Sequence, residues 1–386
     1  MIVLSWDGVR HDYLSRGELP ALARMQTEGT RAEKLVPVFP SLTFPSHVSM
    51  ATGAHVDRHG IVANAFRDRE RGKFSYGNDA SWIEAEPIWV AAERQGVHAA
   101  VYFWVGSETD WRGTGASYRK TPFDPDVTED AKVDQILAWL DLPSPERPRL
   151  VLSWWHGADT PGHRFGPDSP RIAQAMQAQD AALARLLAGL DARNAWADTT
   201  LLIVSDHGMA KVDDPVDLLA PLREKGIAAE LESSNGLAQL WLTDPTRRDE
   251  ALATLAALPG VQAWAGDAVP ATLRYGFAAR MGDVVAVTRP PRFFIAPRTL
   301  EGVMMQAAAA FGREQGAHGF DPALPDMGGI LLALGRGAPA GGRLPAAQAL
   351  DVASTVALLL GIDPPRDAEG HPIPGLGGTP REGAGS

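Results

Sequence analysis

Short, predominantly apolar runs alternate along this chain with longer stretches that repeat every three to four residues. Ile2–Trp6 leads into Asp7, Leu150–Trp155 leads towards Asp159, and residues 201–205 run straight into Asp206-His207. Runs that stay apolar at successive positions suit strands covered on both faces, as in a parallel sheet packed between helices. Residues 19–28, 86–95, 128–140 and 170–190 predict helices. The last places Ile172, Met176, Leu183, Leu186, Leu187 and Leu190 on one stripe. The alternation predicts an α/β fold, a mostly parallel central sheet with helices on both faces.

From about residue 214 to 315 the rhythm changes to short mixed segments, among them Leu237–Leu242 and 283–288, separated by Pro- and Gly-containing turns. This predicts a smaller inserted α+β segment within one domain spanning 1–386. A further apolar run at 329–334 and a helix over Asp351–Leu360 precede a Gly- and Pro-rich tail at about 365–386, expected to be poorly ordered at its end.

Composition narrows the partners. A net charge of −11 argues against a surface for duplex nucleic acid or anionic lipid. It leaves room for a phosphate-bearing small molecule if metal ions supply the positive charge locally. The absence of cysteine removes disulfides, thiolate nucleophiles and Cys-type zinc sites together. No apolar run approaches the ~20 residues of a membrane helix, so no membrane partner is expected. The chain opens directly on a strand with no leader-like segment, which predicts a cytoplasmic protein if it is complete as given, and a periplasmic or secreted one if a leader was removed. The oligomeric state is left open.

Three clusters of candidate chemistry lie just past the ends of apolar runs, and His318 lies in a loop before the run at 329–334. Asp7, the Asp159/His163 pair four residues apart, Asp206-His207 and His318 offer carboxylates and imidazoles without thiolates, a set that favours Zn²⁺ or another first-row divalent ion. Any one of them alone is an ordinary turn or cap residue. Their joint occurrence at strand ends, in a chain with ten histidines, points to a shared site. His11, His55, His98, His156 and His371 lack that context. Thr43, in Phe39-Pro-Ser-Leu-Thr-Phe-Pro-Ser-His47, falls near the start of a helix expected just after Pro45. Read alone, it is a helix cap.

Six separated blocks carry a family resemblance: Ser5-Trp-Asp-Gly-Val-Arg10, Phe39 to His47, His59-Gly-Ile-Val-Ala-Asn64, Asp159-Thr-Pro-Gly-His163-Arg-Phe-Gly-Pro167, Ser205-Asp-His-Gly-Met209 and His318-Gly-Phe-Asp321. Over roughly residues 1–335 the chain resembles the alkaline phosphatase superfamily, in its nucleotide pyrophosphatase/phosphodiesterase (type I phosphodiesterase) branch. The resemblance implies a single alkaline-phosphatase-like catalytic domain and a two-zinc phosphodiesterase acting through a covalent phospho-threonine. It implies that Asp159, His163 and His318 hold one Zn²⁺, and that Asp7, Asp206 and His207 hold the other in contact with Thr43. Asn64 and the backbone N–H of Phe44 would donate to a phosphate oxygen. The Phe44 ring would form one wall of a slot, with Trp154, or alternatively Trp155, opposite. The chain departs from the family at Ser46, where Asn is usual. A small-molecule phosphate diester, nucleotides included, is the implied partner.

Phosphomonoesterase and phosphonoacetate-type hydrolase remain open alternatives within the same superfamily. Asn64 and the lack of a motif lysine or arginine favour diesters over monoesters. The nucleophile block lacks a sulfatase motif. A zinc-stabilised binding protein would lack a ligand or the nucleophile, and neither is lacking.

Overall fold

The computed structural model describes residues 1–295, 307, 310 and 313–377. The remaining parts of the expected inserted segment and tail lie outside the described residues.

The apolar runs form an eight-stranded sheet in the order Gly342–Leu344, Thr30–Ala32, Leu331–Gly335, Thr200–Val204, Ile2–Trp6, Leu150–Trp155, Ala99–Tyr102, Tyr118–Lys120. The five strands from Thr200–Val204 to Tyr118–Lys120 are parallel. Leu331–Gly335 opposes both of its neighbours. The sheet is therefore mostly parallel, as the continuous apolar runs predict.

Successive residues of one strand feed opposite cores, which is why those runs do not alternate with polar positions. Val3, Val101, Leu152, Leu202 and Val204 point to one face, where helices Thr43–Thr52, Ile88–Arg94 and Asp351–Leu360 pack. Ile2, Leu4, Ala100, Val151, Leu201 and Ile203 point to the other. That face is covered by helices Pro20–Glu28, Glu129–Leu140 and Pro170–Ala192, the last burying the predicted stripe. Each such side chain contributes roughly 1.5–3 kcal/mol relative to exposure, so the stripe decides how the helix sits.

Caps mark the helix starts. Thr128 accepts from Ala131 N–H, and Ser169 accepts from Arg171 N–H before Pro170 at the first turn. Helix Pro20–Glu28 has no cap of its own; Asp180, from Pro170–Ala192, accepts its Ala21 and Leu22 N–H groups instead. The helix predicted at 86–95 spans Ile88–Arg94, because Pro87 takes the cap position and the buried Glu86 turns to Arg94.

Within 214–295 lies an antiparallel four-stranded sheet, Ala229–Ser234, Leu237–Leu242, Val284–Val287 and Gln262–Ala265 in spatial order. It packs through Leu240 and Val284 on Leu222 and Leu255 of helices Leu219–Glu224 and Arg248–Ala256, a core separate from those of the main sheet. Where the tail is described it is packed: Ile373 and Leu376 are buried in the main core, and Ser354 donates to the Gly370 carbonyl.

Candidate metal-binding active site

The parallel strands Ile2–Trp6, Leu150–Trp155 and Thr200–Val204 deliver Asp7, the Asp159 segment and Asp206-His207 to one sheet edge, beyond the strands' carboxyl ends. Close backbone packing holds the loops together. A Cβ on Gly8 (φ +65) would lie 2.7 Å from Asp159 Cα, and one on Gly157 would lie 2.1 Å from the Asp7 carbonyl oxygen. Gly8 N–H donates to Asp206 Oδ1 at 3.1 Å, tying the first and third loops.

Helix Asp159–Phe165 places His163 one turn after Asp159, with His163 Nε2 3.3 Å from Asp159 Oδ1. His318 arrives on the segment after Gln315–Ala317, its Nε2 3.1 Å from His163 Nε2 and 3.6 Å from Asp159 Oδ1. His207 Nε2 lies 3.2 Å from Asp206 Oδ2 and 3.6 Å from Asp7 Oδ1, and the His207 and His318 rings stack at 3.6 Å.

The other nitrogen of each imidazole faces a backbone carbonyl. His163 Nδ1 meets Gly316 O at 3.0 Å, His207 Nδ1 meets Gly208 O at 2.9 Å, and His318 Nδ1 meets Ser41 O at 2.9 Å. A carbonyl can only accept, so each Nδ1 carries the proton and each Nε2 presents a lone pair to the site. Asp7 Oδ1, Asp159 Oδ1 and Asp206 Oδ2 are buried and make no hydrogen bond among the described residues. Buried, unpaired carboxylate oxygens facing imidazole lone pairs are costly unless a cation lies among them.

The residues fit such an ion. Asp159, His207 and His318 form one group with ligand atoms within 4.8 Å of one another, and Asp7, Asp206 and His207 form a second. His163 adjoins the first, so all six expected ligands converge and His207 borders both positions. Burial, then the charges of Asp206 and Asp159, push the Asp7 carboxyl well above its usual range. Burial beside His207 and His163 pushes His318 well below its own. The first shift reflects crowded negative charge, and the second keeps the His318 ring neutral, with its lone pair available to a cation.

Thr43 opens helix Thr43–Thr52, three residues ahead of the start expected just after Pro45, with Leu42 at the cap position and no side-chain cap bond. Its hydroxyl is therefore not the ordinary cap. Oγ1 instead lies 3.3 Å from His207 Nε2. Pro45 to Thr52 are buried, so this helix is seated rigidly beneath the hydroxyl.

Asn64 and the Phe44 N–H are arranged differently from the expected pair of parallel donors. The Phe44 N–H donates to Asn64 Oδ1 at 2.9 Å, which leaves the Asn64 amide NH₂ as the donor of that pair towards the cavity.

A cavity of about 300 Å³ opens from Asp7, Thr43, Asn64, Asp159, His163 and His318 onto Phe44, Tyr76, Phe103, Phe123 and Trp154. Phe44 packs edge-on against Tyr76 at 5.4 Å, and Trp154 against Phe123 at 5.3 Å. The Trp154 indole N–H donates to Asp7 Oδ2 at 2.8 Å, joining wall to ligand. Trp155 is not an alternative wall. It is fully buried, stacked on Trp6 at 5.9 Å, because adjacent strand residues face opposite sides of the sheet.

Tyr76, Phe103, Trp104, Glu108 and Phe123 line the cavity without having been singled out from the sequence. Tyr76 (φ 45) and Phe103 (φ 61) hold left-handed backbone, unusual for bulky side chains and more frequent at functional sites. His55 and His98 bond to Glu369 and Ser117, and His156 bonds to Glu129 while its ring packs on the outer side of Trp154 at 4.8 Å; none of the three lines the cavity.

The geometry has known counterparts. An uncharacterised pyrophosphatase/phosphodiesterase of Schizosaccharomyces pombe is 41% identical over 221 residues, 55% of this chain and 45% of that protein. A venom phosphodiesterase of Crotalus durissus collilineatus is 35% identical over 219 residues, 55% of this chain and 26% of that protein. The chain thus spans less than half the length of these relatives. Among solved structures, an inactive threonine-to-alanine variant of murine ectonucleotide pyrophosphatase/phosphodiesterase 5, in complex with AMP, superposes with a TM-score of 0.85 at 25% identity, covering 94% of this chain and 95% of that one. The human protein of the same name gives 0.84 at 26%. Residues 1–321 match the profile "Type I phosphodiesterase / nucleotide pyrophosphatase", and the chain belongs to that family.

Proposed function

We propose that this chain hydrolyses phosphate diesters, nucleotide diesters and pyrophosphates among them, through a covalent phosphoryl intermediate on Thr43. The observation that carries the proposal is the set of three unpaired carboxylate oxygens and three imidazole lone pairs gathered beside the Thr43 hydroxyl.

Asp159, His163 and His318 would hold one Zn²⁺, and Asp7, Asp206 and His207 the other. Bound there, the two ions would lower the pKa of a nearby hydroxyl and offset charge on the phosphoryl oxygens. Thr43, fixed on its buried helix, attacks phosphorus in line with the departing alcohol or nucleotide. The Asn64 NH₂ donates to a non-bridging oxygen, and the aromatic end of the cavity stacks on a planar group. Water then cleaves the Thr43–phosphorus ester, releasing the remaining phosphate monoester and restoring the hydroxyl, and two in-line displacements leave configuration at phosphorus unchanged.

Diesters are favoured over monoesters because neither lysine nor arginine lines the cavity among the described residues, whereas Glu108 does. A second phosphate charge would find no partner there. The AMP bound to the murine relative supports a nucleotide as substrate.

The test compares p-nitrophenyl esters of a nucleoside monophosphate with p-nitrophenyl phosphate, alongside metal analysis of the purified protein. Faster turnover of the diester, two zinc per chain and a trapped peptide carrying the nucleotidyl group on Thr43 are expected. Preference for the monoester, or an unlabelled Thr43, would contradict the proposal.

A further inference from the structure

His47 is fully buried in the nucleophile's helix, four residues after Thr43, and none of the chemistry above uses it. Its Nδ1 lies 2.8 Å from the Thr43 carbonyl oxygen and 3.5 Å from Asp206 Oδ2. Both are acceptors, so Nδ1 carries the proton, and Nε2 accepts from the Ser5 hydroxyl at 2.8 Å. Ser5 lies on strand Ile2–Trp6, two residues before Asp7. The Trp104 indole N–H holds the His47 carbonyl at 3.2 Å, and its ring meets the imidazole edge-on at 5.2 Å.

The peptide joining Thr43 to Phe44 is thus bonded at both ends. Its C=O accepts from His47, and its N–H donates to Asn64 Oδ1 at 2.9 Å. In a trans peptide these groups point to opposite sides, so a bond at each end sets the rotation of the plane. That rotation fixes ψ of Thr43 and φ of Phe44, and with them the aim of the hydroxyl and the seat of Asn64.

We infer that His47, oriented by Ser5, is a positioning residue that aligns the Thr43–Phe44 peptide for attack on phosphorus. The inference rests on Thr43 being the nucleophile. Histidine buried in a helix is commonly packing alone, and the two roles separate by isostere. The amide nitrogen of Asn falls near imidazole Nδ1, whereas that of Gln falls near Nε2.

At saturating nucleotide diester, His47→Gln is expected to lower kcat about 10- to 100-fold with little change in KM, while His47→Asn keeps kcat within about threefold of the unsubstituted enzyme. A packing role predicts the reverse, since Gln better fills the imidazole volume and Asn leaves a cavity. Wild-type kcat in His47→Gln, or a fall in both variants that tracks thermal stability, overturns the inference.

Should neither variant fold, Ser5→Ala keeps the imidazole and removes the partner that fixes its tautomer. Mixed-tautomer imidazole nitrogen shifts in NMR, with kcat lowered about 3- to 10-fold, are then expected. Unchanged shifts and kcat overturn the inference there too. If Thr43→Ala retains turnover, the nucleophile assignment itself fails; an inactive Thr43→Ala beside an active His47→Gln removes only the role of His47.

Discussion

The two ends of the cavity are built by opposite means. At the polar end, side chains from strand ends and two helix starts are held by glycine-tight loop packing and by carbonyls that fix each histidine. At the aromatic end, loops supply most of the wall, two of its residues adopt left-handed backbone, and Tyr76 and Phe123 are 65% and 45% exposed. Interlocking favours an end that must hold reacting atoms within fractions of an ångström. Exposed rings on loops suit an end that sorts substrates, because their contacts can change without moving the chemistry. The division predicts that substitutions at the polar end act on kcat and those at the aromatic end on KM.

The strongest way to break it is Thr43→Ala. Turnover is expected to fall by at least about 10³-fold with thermal stability nearly unchanged, since the hydroxyl caps nothing. Asn64→Ala should lower kcat by about 10²-fold, as removal of one oriented donor does elsewhere. A comparable rise in KM instead would move Asn64 to the sorting end.

Phe123→Ala should raise KM for a nucleotide diester by roughly 5- to 50-fold, the worth of one stacked ring, while kcat for a minimal diester stays level. The smallest effect is expected behind the aromatic wall. Burial alone would raise the Glu129 carboxyl, but its bond to His156 and the Lys132 charge hold it down to about 2. A carboxyl depressed in the fold contributes stability above its ordinary pKa of about 4.5 and loses it as pH falls towards 2. Partial exposure discounts that contribution to about 1 kcal/mol. Denaturation of Glu129→Gln should therefore show a deficit at pH 7 that shrinks by pH 3.

The same contrast explains what was legible in the sequence. The metal-ligand candidates sit in local blocks at the ends of apolar runs, where the parallel-sheet pattern itself says that ligands gather. The helix stripe of Ile172 to Leu190 was legible for a similar reason, since burial imposes a period. Tyr76, Phe103 and Phe123 lie on loops without a period, and no residue type announces an aromatic at positive φ. Strand parity could have decided between Trp154 and Trp155: Trp155 pairs in register with the buried Trp6, and Trp154 with Ser5. Thr43 starting its helix three residues early depends on Leu42 serving as the cap without a side-chain bond, which no cap preference foretells.

The unpaired oxygens of Asp7, Asp159 and Asp206 also bear on how the chain stays folded. Gly8 and Asp206, bonded across the site, are 198 residues apart, and His163 and His318 are 155 apart. An ion bound there would act as a cross-link closing some of the longest loops in the molecule, where chain-entropy arguments give closure its greatest leverage. A chelator would then do more than stop turnover. It would unclip the first strand's end from the last catalytic loop, and amide hydrogen exchange at 205–209 and 316–320 should quicken before the helices do.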